Sequence, residues 1–419
     1  MATTGNHIQR NENGISPLAP FAEPLFRSLW IASVVSYIGT WMQNVGAGWL
    51  MTQITRSPLM VGLVQAAGAL PVFLVILPAG ALADMVDRRR LLLFAQWWMV
   101  LASATLGILT LTGWVSQWTL LLLTLALGLG SVMNDPAWQA IVPEVVSADN
   151  HARAVALNSA GFNVARAVGP ALGGMVIAAA GSGVAFLLNA VSFFGVILFL
   201  YRWKRPHLEV VNSRSLVMEI RAGLSFARGS ATVKAVLVRA GVFSLGATAL
   251  LALLPIIARP FGSAGFGVLL GSLGLGALAG AAVLPRLRQS LSVDAVVAVA
   301  VIVFAGVTYA MGQARDFDLL CIIMFVGGIA WIGILACLNV AAQTMSPAWV
   351  RARSLSMYLL VLQGGMALGS TFWGYLATHV GVPQALMWAG LALIAGLCVL
   401  PWHRLSSEGL RLAPAVVRD

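Results

Sequence analysis

Gly80-Ala81-Leu82-Ala83-Asp84-Met85-Val86-Asp87-Arg88-Arg89-Arg90 stands between two apolar runs, each too long for the core of a soluble domain. A glycine, two carboxylates and three guanidinium groups crowd into this stretch, while its flanks carry almost no charge. Such a contrast arises where a chain leaves a lipid phase, turns in water and re-enters. The whole chain agrees: 59% of its residues are hydrophobic and 9% charged, against roughly 25% charged in an ordinary globular domain.

A hydrocarbon core about 30 Å thick takes roughly 20 helical residues per crossing. Outward from the loop, apolar runs of that order lie near 29–52, 58–82, 91–112, 117–140, 153–180, 183–202, 235–258, 264–285, 292–313, 317–340, 353–378 and 383–402. The sequence therefore predicts an all-α membrane protein of twelve transmembrane helices.

The net charge of +11 is a matter of sidedness. With the N-terminus placed in the cytoplasm, the inner loops and tails carry 20 basic residues, among them Arg27, Arg88, Arg89, Arg90, Arg153, Arg202, Arg286, Arg288 and Arg351. The outer loops carry Arg56, Arg259 and Arg315. The positive-inside rule then predicts a multi-pass protein of the cell (inner or plasma) membrane, with both termini cytoplasmic and an even number of crossings. Charge explained by topology leaves no need for a nucleic-acid partner. The first 26 residues lack a central apolar run, so no cleaved secretory signal is expected.

Enzyme chemistry finds little footing. His7, His151, His207, His379 and His403 are scattered without ligand spacing, and Cys321, Cys337 and Cys398 fall inside predicted spans. Lys204 and Lys234 belong to no Gly-x-x-x-x-Gly-Lys loop. The chain is read as a non-enzyme with no catalytic residues, no metal, no cofactor and no direct use of ATP, so that a gradient supplies the energy.

A displacement of 200 residues superposes Ala152, Arg153, Ala167, Gly169, Gly174, Gly181 and Ala185 on Ala352, Arg353, Ala367, Gly369, Gly374, Gly381 and Ala385. Six spans thus echo six. The expected organisation is a cytoplasmic tail over 1–26, an N-terminal six-helix bundle over 27–202, a basic cytoplasmic linker over 203–234, a C-terminal six-helix bundle over 235–402 and a cytoplasmic tail over 403–419. Two pseudo-symmetric bundles leave a cavity between them, and rocking exposes it to one side at a time.

Loop and repeat together resemble the major facilitator superfamily, and within it the bacterial branch of secretion-effector, enterobactin-exporter-like proteins, over nearly the whole chain. In that superfamily the loop after the second helix reads Gly-x-x-x-Asp-Arg-x-Gly-Arg-Arg, and Gly80, Asp84, Arg88 and Arg89 occupy its places. Met85 replaces the usual arginine and Asp87 the usual glycine. The resemblance implies that Asp84 and Arg88 latch the cytoplasmic side in the outward-facing state. A carboxylate at a helix end can pair with a facing helix N-terminus and with guanidinium groups on physical grounds alone. A solvated loop that only orients the protein is the other reading.

The fifth span carries Gly161-Phe162-Asn163-Val164-Ala165-Arg166-Ala167-Val168-Gly169-Pro170-Ala171-Leu172-Gly173-Gly174. It is similar to the superfamily's antiporter segment, Gly-Pro-x-x-Gly-Gly, which in the family marks exporters. Gly169, Gly173 and Gly174 permit close helix approach and Pro170 lacks a backbone donor, so a packed hinge is expected, with plain packing as the alternative. Arg166 lies roughly 20 Å along the helix from Arg153, near mid-bilayer, and has to face protein, water or a counter-charge. Asn163 is placed on its face. Arg166 is read as a substrate or coupling residue, or else as a structural arginine bonded to backbone carbonyls.

Asp135 is the one carboxylate well inside a predicted span, which makes it the expected partner of Arg166. It is read either as a proton-coupling site or as an extension of the gate latch. Thr40, Gln43, Asn44, Gln65, Asn189, Asn339 and Gln363 are further polar groups within spans. By resemblance helices 1, 4, 7 and 10 line the cavity, so Gln43 and Asn44 become ligand candidates, with Trp41 and Trp331 as stacking surfaces. Trp97, Trp98, Trp114 and Trp118 fit an interfacial belt.

These readings converge on a secondary active efflux transporter, exchanging protons for a small organic solute, siderophore-like or amphipathic and drug-like, by alternating access in a lipid bilayer. A monomer is the default state. A sugar or metabolite facilitator of the same fold is the second reading and a non-transporting membrane receptor the third.

Overall fold

The computed structural model describes residues 16–85, 87–203, 230–344 and 351–398, with backbone alone at 76–85, 136, 140, 143, 231, 232, 352 and 353. Twelve helices run through them: α1 (Pro24–Ile54), α2 (Pro58–Met85), α3 (Arg88–Leu111), α4 (Gln117–Ile141), α5 (151–180), α6 (182–202), α7 (Ala231–Ile257), α8 (Gly262–Ser290), α9 (Val293–Gln313), α10 (Phe317–Thr344), α11 (Arg351–Val380) and α12 (Val382–Gly396). Nine stretches are long and apolar enough to cross a membrane, and one of them, Ala148–Arg202 with 55 residues, is long enough to cross twice.

Local chemistry fixes the helix starts. Ser116 before α4, Ser230 before α7 and Ser292 before α9 each turn a hydroxyl onto the N–H three residues on, satisfying a donor the first turn leaves free. Pro24 opens α1, where its missing N–H costs nothing. The run His151–Arg202 breaks at Gly181, with φ 82° and ψ 165°, a conformation suited to a residue without Cβ. Gly381 has φ 87° and ψ 157° and parts α11 from α12. The 200-residue repeat is therefore also a repeat of backbone conformation.

Helices α1 to α6 form one bundle and α7 to α12 the other. In the first, α1 packs on α5, α2 on α4, and α3 on α4 and on the α5–α6 run; in the second, α8 packs on α10, α7 on α11, and α9 on α10 and α12. Between bundles, α2 lies on α11 and α5 on α8. The repeated glycines stand at these crossings. A Cβ on Gly174 of α5 would meet the Ser263 carbonyl of α8 at 2.6 Å and the Gly267 Cα at 2.9 Å. Its repeat partner, Gly374 of α11, faces α2, where a Cβ would meet the Pro58 carbonyl at 3.0 Å and the Leu59 Cα at 3.1 Å.

Two polar ties mark the ends of the molecule. Opposite the arginine-rich loops, Arg259 donates from Nη2 to the carbonyls of Thr52 (3.2 Å) and Thr55 (3.0 Å), joining the C-terminal bundle to the end of α1, where the helix dipole favours a cation. At the arginine-rich end, Glu23 accepts from Asn150 Nδ2 (2.8 Å), Ser147 N (3.2 Å) and Ser147 Oγ (3.0 Å). The Asn150 bond first, then those from Ser147, hold the Glu23 carboxyl below the ordinary carboxylate range against a smaller opposing effect of burial.

The observed helices overrun several predicted spans by a few residues, because helices continue past the hydrocarbon boundary until a cap or glycine stops them. Helix α7 begins at Ala231, within the stretch expected to be linker. Residues 1–15, 204–229 and 399–419, which hold most of the expected tails and linker, lie outside the described residues.

Gly174→Ala is expected to lower stability by about 1–3 kcal/mol, since the atoms a methyl would meet are backbone and cannot rotate away. Gly68→Ala, where a Cβ meets nothing within 4 Å, should stay near neutral. Thermal unfolding of the two variants in one detergent checks the contrast. Acid should loosen the Glu23 strap. With the folded carboxyl held low, its stabilising contribution is full above the ordinary carboxylate range and fades as pH falls through the lowered folded value. Amide exchange at Ser147 and Asn150 should rise in that window, and Glu23→Gln should remove most of the pH dependence.

Candidate functional site

A cavity of about 370 Å³ opens where the two bundles face each other, a size suited to a small organic molecule. Its wall takes Thr40, Trp41, Gln43 and Asn44 from α1, Thr124 and Asp135 from α4, Leu251 from α7 and Trp331 from α10. It also takes Gln65 from α2, Arg166 and Pro170 from α5, Phe266 from α8 and Gln363 from α11. The four helices expected by resemblance are joined by the four that make the inter-bundle crossings, because the cavity lies along that seam, and by α3 and α6 through Met99, Asn189 and Phe193.

Gln43 is 4% exposed. Its Oε1 accepts from Ser103 Oγ of α3 at 2.7 Å and from Asn189 Nδ2 of α6 at 3.1 Å. Two donors on one side assign the amide: the oxygen points into the N-terminal bundle, and Nε2 is left without a partner. Ser103 Oγ also lies 2.8 Å from the Phe186 carbonyl, so its single hydrogen is shared. On the opposite bundle Trp331, 5% exposed, is wedged between Phe243 and Phe304 with ring centroids 5.5 and 5.6 Å away. Its Nε1 has no acceptor.

Asp135 and Arg166 are the charged groups on the described wall. The expected partnership between them is not formed: among the described residues no ion pair or hydrogen bond joins the two, nor ties Arg166 to another group. Helix packing explains this, since α4 lies against α2 and α3 whereas α5 lies against α1 and α8. They share a cavity and not a bond.

Asn163 needs a second correction. It is exposed, donates to the Ser159 carbonyl at 2.9 Å and does not line the cavity. At about 100° per residue Asn163 and Pro170 lie on the same side of Arg166, roughly 60° and 40° round, so depth and not angle sets them apart. Asn163 is roughly 4.5 Å nearer the start of the helix, while the wall takes Arg166 and Pro170. Helical φ and ψ continue through Pro170, the break coming at Gly181. Gly169 and Gly173 lie against Trp41 and Met42 of α1, as Gly174 lies against α8.

Gly80 and Asp84 fall in the last two turns of α2, their side chains outside the described residues. Asp87 caps α3 through Oδ1, which accepts from Arg90 N at 2.9 Å. Arg88 Nη1 pairs with Glu144 Oε1 at 2.9 Å, in the turn after α4. Arg89 donates to the carbonyls of Leu200 (2.6 Å) and Tyr201 (3.0 Å) at the end of α6. Arg88 and Arg89 thus tie α3 to its own bundle.

Arg239 escaped the sequence reading. It lies in α7, 6% exposed, with Nη1 2.6 Å from Asp294 Oδ1 in the first turn of α9, beside a pocket of about 30 Å³. Its signal was present as an arginine inside the seventh apolar run. Asn339 pairs with Gln343 on its own helix, away from the cavity wall.

Two bundles of six helices enclosing at their seam a largely apolar cavity set with a few polar and charged groups define a multi-pass membrane transporter of the major facilitator type. A family profile described as "transmembrane secretion effector" matches residues 15–412. The chain belongs to that family of efflux transporters. It is 24% identical over 377 residues to the multidrug efflux pump Tap of Mycolicibacterium fortuitum, covering 87% of this chain and 91% of that one. It is 22% identical over 384 residues to the enterobactin exporter EntS of Salmonella typhimurium, covering 90% and 92%. The staphyloferrin A transporter of Staphylococcus aureus is 22% identical over 262 residues, 62% of this chain and 66% of the relative. Among solved structures, a bacterial homolog of the human lysosomal transporter Spinster, inward-facing and occupied, superposes with TM-score 0.70 at 14% identity, covering 96% of this chain and 100% of that one. The nucleoside transporter NupG superposes with TM-score 0.68 at 13% identity, covering 91% and 99%. At these identities the structures share the fold.

Removing Asp294 strands the buried Arg239 charge, whereas removing Arg239 leaves a carboxylate that is 31% exposed. Asp294→Leu should cost about 3–5 kcal/mol and Arg239→Leu less, while the double replacement Arg239→Met with Asp294→Leu recovers most of the larger loss. Thermal unfolding of the three proteins decides, and simple additivity of the two losses would count against a coupled pair.

Proposed function

We propose that this chain exports a small organic solute in exchange for protons, by alternating access of the seam cavity. The observation that carries the reading is Asp135, a carboxylate on the cavity wall with no ion-pair partner among the described residues. An ionised carboxylate is costly to enclose in a closing, water-poor cavity. It can be enclosed once it binds a proton or once a solute offsets its charge. Either event permits the cavity to close and neither is needed twice, which is the logic of exchange.

The remaining residues take their parts around that step. Arg166, Gln43 and Asn44 meet the solute, with Trp41 and Trp331 as apolar platforms. Pro170 and Gly174 lie on the close-packed surface on which the bundles 27–202 and 235–402 rock, while Gly169 and Gly173 seat the same helix on α1. Gly80, Asp84, Arg88 and Arg89 form the gate at the arginine-rich end, which the positive-inside rule assigns to the cytoplasm together with both termini. Tap, EntS and the staphyloferrin A transporter support siderophore-like or amphipathic drug-like solutes. The amides of Gln43, Asn44, Gln65 and Gln363 on the same wall favour a second reading, a sugar or metabolite facilitator, which predicts counterflow with no proton requirement.

In proteoliposomes, an imposed pH difference should drive solute against its gradient through the wild type. Asp135→Asn should abolish that drive while the protein still purifies folded. Solute movement indifferent to the pH difference in the wild type overturns the coupling, and full coupled transport by the variant removes Asp135 from it.

A further inference from the structure

We infer that the cavity selects a dipolar solute, with an anionic end held by Arg166, Gln43 and Trp331 and a cationic end held by Asp135. The inference rests on the export reading above and names its substrate class.

Two opposite charges share one cavity without meeting. Arg166 and Asp135 both line the wall, and no ion pair or hydrogen bond connects them. Arg166 is half-buried and Asp135 is open to the cavity, and each would cost several kcal/mol if the cavity closed over it uncompensated. Kept apart on α5 and α4, each retains a full charge to offer.

The uncharged part of the wall has a polarity of its own. Gln43 Nε2 and Trp331 Nε1 are buried donors with no acceptor, on side chains 4% and 5% exposed. Such groups are rare because each forgoes about 1–3 kcal/mol. The Gln43 oxygen is taken up by Ser103 and Asn189, which donate to it. Trp331 cannot swing away from Phe243 and Phe304. Both groups therefore call for an acceptor, as Arg166 does. They stand on opposite bundles, so a carboxylate or similar group that reached both would bridge the seam.

A purely cationic solute would neutralise Asp135 and leave Arg166 and two N–H donors bare. A purely anionic one would do the reverse and set its charge in the same cavity as Asp135. A solute carrying both ends compensates every one of these groups and lets the cavity close with Asp135 ionised.

The test uses the full chain in lipid nanodiscs, which measures binding without transport, and three probes on one scaffold. Ciprofloxacin is a zwitterion at neutral pH, its methyl ester keeps only the cation, and its N-acetyl derivative keeps only the anion. Ciprofloxacin should bind at least about tenfold more tightly than either derivative, as expected for one added charge-assisted contact. Arg166→Gln should lower ciprofloxacin affinity to that of the ester while leaving the ester within about twofold. Asp135→Asn should lower it to that of the N-acetyl derivative and leave the latter unchanged. Retained binding of the matched derivative is also the control for folding. Equal affinity of the wild type for parent and ester, equal loss of all three probes in both variants, or no binding of any probe overturns the inference. Failure here with pH-driven export intact leaves the export reading standing, and dipolar preference with export indifferent to pH does the opposite.

Discussion

Lipid gives two apolar helices no hydrophobic reason to touch, so apart from the Arg259 tie at one end the bundles are joined where backbones come close enough to gain dispersion contact. Gly174 against Ser263 and Gly267, and Gly374 against Pro58 and Leu59, are those places. Side chains there would hold the helices apart. Contact made by shape alone has no strong directional bonds to break, whereas interlocked large side chains would fix a single register. The seam is therefore both the join between the bundles and the surface most open to relative motion, and the cavity lies along it.

Charge is distributed on the same principle. Arg239 and Asp294 lie within one bundle and are paired at 2.6 Å. Asp135 and Arg166 face the seam and are left apart. A pair in a bundle interior has to be complete in itself, because a lone buried charge there has no remedy. At the seam, the exchange proposed above brings water and solute in turn, which would let charges be held in reserve.

Much of this was legible in the sequence, and the failures share a cause. Span positions follow from the thickness of hydrocarbon, a single length that every helix meets, and the break at Gly181 and Gly381 follows from the repeat. The residues brought together in the cavity, Gln43, Asn44, Asp135, Arg166 and Trp331, were recognisable as polar or aromatic groups at mid-membrane depth. Pairing was not. Periodicity gives the angle of a side chain about its own helix but neither the neighbour it faces nor the depth at which a cavity ends, so Asp135 was matched to Arg166 across a gap and Asn163 was placed on the cavity wall. Arg239 was passed over for the opposite reason: its partner is fixed by the packing of α7 near α9, which no local pattern announces.

Ser103 shows why specificity in such a cavity is hard to read from its wall. It does not line the cavity, yet with Asn189 it decides which face of the Gln43 amide the cavity receives. Replace either donor with a residue that accepts, and the same glutamine would turn its oxygen outward and favour a donor-bearing solute. An amide is nearly symmetric in shape, so this reversal changes polarity without changing volume. Relatives that keep the same cavity residues can therefore differ in the solutes they accept through changes one layer behind them.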